Sequence, residues 1–177
     1  MCGAILYTEE HVHVRKMLDD DDYWSGLDSV SGPEWAVFAV RAESGSYQLP
    51  SFPSGTVGLM IPVWKEPKAN LELLADFGMD DSRDLPALVV FIEESNRQIS
   101  SALWRIRGST ADEAYTSTAE GLRIVGDAIR EMEPEARGDG SMVRRVTFRA
   151  IEDRKDWLVL HAAVRAWEKL LSWIPGL

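Results

Sequence analysis

Leu85-Pro86-Ala87-Leu88-Val89-Val90-Phe91-Ile92, followed by Ile99-Ser100-Ser101-Ala102-Leu103-Trp104-Arg105-Ile106, is the stretch that decides the fold. The first run is continuously apolar and rich in β-branched residues, as a strand buried on both faces requires. The polar break from Glu94 to Arg97 is short enough to close a turn, so the two runs read as an antiparallel hairpin. Upstream, Trp35-Ala36-Val37-Phe38-Ala39-Val40 reads as a second central strand. Strands interleaved with helical patterns place the chain in the α/β class, with a mixed sheet flanked by helices.

Working outward, Ala4 to Tyr7 is a short first strand. Thr8 is read as the cap of a helix, with Glu9 and Glu10 at its positive end and Val14, Met17 and Leu18 on its buried side. The tract Asp19 to Asp22 ends that helix, and Ser29 to Pro33 is a turn cluster. Glu43 to Ser54 reads as a loop, Val57 to Val63 as a strand, and Pro67 to Phe77 as a helix stopped by Gly78. Ser117-Thr118-Ala119-Glu120 fits a capping box opening a helix with Leu122, Val125, Ile129 and Met132 on one face. Glu133 to Gly140 is a breaker-rich linker, in which Arg137-Gly138-Asp139 reads as a turn, and Val143 to Ile151 reads as a strand. Asp156 to Ile174 reads as a helix with an apolar stripe of Trp157, Leu160, Val164, Trp167, Leu171 and Ile174; Trp157 to Leu160 reads equally well as a strand.

A net charge of −10 disfavours nucleic acid, whose affinity rests on clustered Lys and Arg; Arg144, Arg145, Arg149 and Arg154 are the only candidates for a local basic strip. The same charge suits a basic protein partner. Cys2 is the only cysteine, so neither an intramolecular disulfide nor a Cys-x-x-Cys site can form. No signal segment or membrane-length apolar run is present, which gives an expectation of cytoplasmic residence and no membrane partner.

The middle of the chain resembles the thioredoxin-like superfamily. Leu74 to Met79 looks like the end of that family's third helix, and Leu85-Pro86 with Ala87 to Phe91 like its cis-proline loop and following strand. Ala102 to Gly108 and the helix from Thr118 look like its terminal hairpin and helix. The resemblance covers roughly residues 3–133, typical of one domain. It implies a thioredoxin-like domain over 1–133 and a C-terminal strand–helix extension over 134–177, packed on the same domain. In this alignment, the segment after Trp35–Val40 holds Arg41-Ala42-Glu43-Ser44-Gly45-Ser46-Tyr47 where redox members carry their cysteines. Thiol–disulfide exchange needs a thiolate there, so the resemblance implies a redox-inactive member.

The candidate binding face is the one on which this fold presents ligands: Ser44, Ser46, Tyr47, Trp64, Leu85 and Pro86. The reading is a small protein-binding module of adaptor or immunity type, without a cofactor. One alternative is an enzyme using the same cleft through Ser44, Ser46, Tyr47 or His161. Another is a homo-oligomer joined through Trp157, Val164, Trp167 and Leu171. His11 and His13 stand two apart, so on a helix their rings face opposite ways and do not make a metal pair. Gly55-Thr56-Val57-Gly58 is too short to cradle a phosphate.

Overall fold

A computed structural model describes residues 1–33, 35–42, 60–65, 72–73, 75–77, 79, 81–94, 98–152, 154, 157–160, 168–169 and 171–172. The frame is a six-stranded sheet. Strands β1 (Cys2–Leu6), β2 (Ala36–Ala42), β3 (Met60–Lys65), β4 (Ala87–Glu93), β5 (Ile99–Arg105) and β6 (Trp157–Leu160) stand in the order β3-β2-β1-β4-β5-β6. The first three run parallel; β4 is antiparallel to both β1 and β5, and β6 is antiparallel to β5. Every residue of β1 is buried, as expected of the strand at the centre.

Alternation along the strands sends side chains into two cores. On one face Ile5, Val37, Val90 and Trp104 meet helices α1 (Val12–Asp19), α2 (Asp21–Ser31), α4 (Ala111–Arg130) and α5 (Gly140–Ile151). On the other, Leu6, Phe38, Val89 and Leu103 meet Leu73, Phe77 and Met79, with Leu171 packed against them. A single helical turn, α3 (Asp81–Asp84), precedes β4.

Four readings of the sequence need correction. The acidic tract does end α1, but Asp20 then caps α2, accepting from the amides of Asp22 and Tyr23. Carboxylates suit the positive end of a helix as well as they unsettle the negative one, and α2 runs through Ser29 to Ser31 before Gly32 stops it. Helix α4 starts at Ala111, six residues before Ser117. Its cap is Thr110, whose hydroxyl accepts from the Glu113 amide, so the operative capping box is Thr110 to Glu113. The segment Val143 to Ile151 is helix, not strand. Val143, Thr147 and Ile151 are buried at a four-residue spacing, and Asp139 caps the helix by accepting from the Ser141 amide. Packing and capping here override the β-branched composition. Finally, His11 rather than Thr8 occupies the cap position of α1, without a side-chain capping bond to the helix.

At the tail, Trp157 to Leu160 adopts the strand alternative. Trp157 stands opposite Trp104 and their rings pack at 5.5 Å. Lys169 bonds Asp76 at 3.1 Å and Glu72 at 3.3 Å, tying the helical residues near 169 to the second face. Trp157 and Leu171 therefore lie on opposite faces of the sheet and form no common stripe. Val164 and Trp167 lie outside the described residues.

Candidate functional site

Register defines the site. Val63, Val40, Leu6, Ala87 and Arg105 form one row across the sheet, so the next residues outward share one edge: Trp64 and Arg41 in β3 and β2, Tyr7 after β1, and Pro86 before β4. This is the carboxyl edge of the parallel strands. In open α/β sheets ligands bind there, where the connections from adjacent strands diverge. The edge carries Leu85 and Pro86 together and the backbone position of Trp64 three strands away; Ser44, Ser46, Tyr47 and His161 lie outside the described residues.

Leu85 and Pro86 are half-buried, joined by a cis peptide bond, and the Pro86 carbonyl accepts the Ile106 amide at 2.9 Å. One residue back, the Asp84 carboxylate accepts from Arg105 Nη2 at 2.9 Å; the carboxylate is 19% exposed. The Arg105–Asp84 ion pair closes the β4–β5 end of the edge.

The residues that sequence reading missed follow β1. Thr8 and His11 form a closed turn. The His11 amide donates to the Thr8 carbonyl at 3.1 Å, and the Thr8 amide donates to His11 Nδ1 at 3.0 Å. Thr8 Oγ1 stands 2.8 Å from the same nitrogen. A nitrogen that accepts from an amide carries no proton, which places the neutral ring's proton on Nε2. The available signal was the Thr-x-x-His spacing just after a strand, but the expectation that His11 lay inside the helix hid it. His13, by contrast, is exposed on α1.

Cys2 lies at the amino end of β1, the opposite edge of the sheet, about 13 Å along the strand from Leu6. Its thiol is buried, and burial pushes its pKa up to about 12.

A concavity of about 500 Å³ opens between the end of β5 and the first turns of α4. Trp104 and Ser117 line its inner wall, and Arg107, Asp112, Glu113 and Glu120 its rim. Trp104 Nε1 donates to the Ser117 carbonyl at 2.9 Å, and the Arg107 amide donates to Ser117 Oγ at 3.0 Å. The Glu113 carboxylate accepts from Ser109 Oγ and the Ser109 amide, both at 2.7 Å; those bonds hold its pKa below the usual carboxylate value. The Tyr23 hydroxyl donates to Asp112, and that bond raises the phenol's pKa. Ser117, a helix-cap candidate by sequence, thus lies inside this cleft.

The chain matches no protein-family model, no curated protein and no solved structure.

Proposed function

We propose that the chain is a redox-inactive protein-binding module on a thioredoxin-like plan, of adaptor or immunity type, which meets its partner at the carboxyl edge of its sheet. One observation carries the reading. The edge gathers Leu85, Pro86, the Thr8–His11 turn and the end of β3, while the only cysteine is buried at the other end of β1. From β3 to β4 this edge spans three strand spacings, about 14 Å, which suits a protein segment better than a small molecule. The parallel pair β1–β2, the antiparallel hairpin β4–β5 beside it and the helix after the hairpin support the thioredoxin-like plan.

The test is a photo-crosslinking residue placed at Leu85 in the full chain, with the same residue at Arg83 on the neighbouring exposed surface as the control. The reading expects one protein captured from position 85 and lost when Thr8→Arg is added. Equal capture from both positions, or none from position 85, would remove the edge as the binding face. The Thr8–His11 pair favours a second reading, a cysteine-independent enzyme at the same edge, because a hydroxyl 2.8 Å from an imidazole nitrogen is at nucleophile–base distance, although that nitrogen's lone pair is shared with the Thr8 amide. Turnover of acyl esters that vanishes in both Thr8→Ala and His11→Gln would favour the enzyme; activity surviving either change would exclude it.

A further inference from the structure

Helix α5 lies on the outside of the helical layer with Val143, Thr147 and Ile151 turned into the core. Its outer side is cationic. Arg144, Arg145 and Arg149 are exposed, Arg154 follows, and the Arg144 guanidinium stands 5.2 Å above the half-buried Phe148 ring. Four of the chain's 19 Lys and Arg thus fall within eleven residues of a molecule carrying a net charge of −10. Arg144 is held by Ser100 Oγ at 2.8 Å and Glu94 at 3.3 Å. Arg145 and Arg149 have no ion-pair partner among the described residues. They stand one turn apart, an arrangement of like charges that weakens a helix unless something anionic covers it.

The same layer carries the complement. Helix α4 packs on α1 and α2 along one side and on α5 along the other. At the far corner, Asp21 and Asp22 are exposed in the first turn of α2, with Tyr23 and Trp24 half-buried beside them. Guanidinium groups pair with carboxylates in a two-point fork, which Asp21 and Asp22 offer; of the aromatics beside them, Tyr23 is stacked on Tyr115 and bonded to Asp112, and Trp24 packs against the core with only a margin at the surface. A polyanion fits less well, because the net charge repels it at every distance beyond the strip.

We propose that the arginine face of α5 docks on the Asp21–Trp24 corner of a second copy of this chain. This goes beyond the binding edge proposed above and uses neither Leu85 nor Thr8. Donor and acceptor surfaces differ, so the contact is head-to-tail and adds further copies unless it closes into a ring.

Sedimentation velocity of the full chain tests it. At 50 mM salt the wild type should sediment heavier than 19.8 kDa, and at 500 mM, where the Debye length falls to about 4 Å, as the monomer. Arg145→Glu with Arg149→Glu should weaken association at least tenfold, and Asp21→Lys with Asp22→Lys should do the same. Mixing the two double variants restores opposite charges at both contacts, so the mixture should become heavier again, which shows that neither variant lost association by misfolding. A wild type that stays monomeric at 50 mM salt overturns the proposal. So does a mixture that stays monomeric, association that survives the arginine reversals, or a monomer that instead retards a DNA duplex through these arginines.

Discussion

Gly121→Ala sets two effects of opposite sign against each other. In an exposed helix interior, alanine in place of glycine stabilises by about 1 kcal/mol through propensity alone. Here a Cβ on Gly121 would stand 2.8 Å from Trp104 Cδ1, 2.9 Å from Cγ and 3.0 Å from Nε1. Ordinary carbon contacts are about 3.5–4.0 Å, so the indole must withdraw by roughly 0.7 Å. It has little room, being 4% exposed, bonded through Nε1 to the Ser117 carbonyl at 2.9 Å, and packed on Trp157 at 5.5 Å. Overpacking of this kind costs about 1–3 kcal/mol, and a strained indole bond up to about 1 more. Subtracting the propensity gain leaves a net loss of about 0–3 kcal/mol, centred near 1.5. Urea unfolding followed by far-ultraviolet circular dichroism should give a lower midpoint at unchanged slope. Gly138→Ala is the control. Nothing lies within 4 Å of its added Cβ, so it should be neutral or stabilise by up to about 1 kcal/mol. A Gly121→Ala midpoint above wild type would refute the packing of Trp104 against α4.

Other outcomes follow from single contacts. Asp139→Ala should cost about 1 kcal/mol in the same unfolding experiment, because it removes the cap of α5; a strand at 143–151 would show no such loss. Cys2 should react with iodoacetamide at pH 8 about a thousandfold more slowly than a free thiol, since raising the pKa from 9.0 to about 12 lowers the thiolate fraction by that factor. Labelling within tenfold of a free thiol, read by mass spectrometry, would show that β1 does not bury it. The bonds from Lys169 to Asp76 and then Glu72 raise its pKa above 10.5, so its stabilisation is complete below that pH and is lost as pH rises through the folded value. The melting-temperature gap between wild type and Lys169→Met should therefore be largest near pH 8 and shrink above pH 10.5. Glu113 has the opposite sign. Its pKa is held below 4.5 by Ser109, so the effect of Ser109→Ala should be full above pH 4.5 and fade as pH falls through the folded value.

The strands were largely legible because burial on two faces leaves a compositional mark. Ala87–Glu93 and Ile99–Arg105 emerge as the expected hairpin, and β2 matches within two residues. Helix starts were less legible. Thr110 to Glu113 and Ser117 to Glu120 carry the same capping signature, and only the first has its cap in an extended conformation. Both lie on one continuous helix, so local chemistry could not say which turn came first. Helix α5 was obscured by Val143, Val146, Thr147 and Ile151, whose β-branched side chains favour strands until a neighbouring helix offers a surface at a four-residue spacing. The site was half legible. Leu85 and Pro86 could be picked from a dipeptide ahead of an apolar run, whereas the Thr8–His11 turn depends on where α1 begins.

That boundary changes what stands beside Pro86. The resemblance to the thioredoxin-like superfamily sets the segment after the Trp35–Val40 strand, Arg41 to Tyr47, in the position where that superfamily's redox members hold cysteine. In the sheet, β1 and not β2 pairs with β4: Leu6 opposes Ala87, and β2 lies one strand spacing, about 4.8 Å, further out. The turn facing the Leu85–Pro86 end of β4 is therefore Thr8-Glu9-Glu10-His11, and the end of β2 lies one strand further out. Neither contains a cysteine, so the expectation of a non-redox edge rests on two segments instead of one. The hydroxyl and imidazole bonded to each other close that turn. For a binding module, Thr8 and His11 should then act as a unit: a double Thr8→Ala, His11→Gln variant should lose about as much partner affinity as either single change, since each single change already breaks the turn they close. Losses that simply add would mean that the two residues contact the partner independently and that the closed turn has no part in recognition.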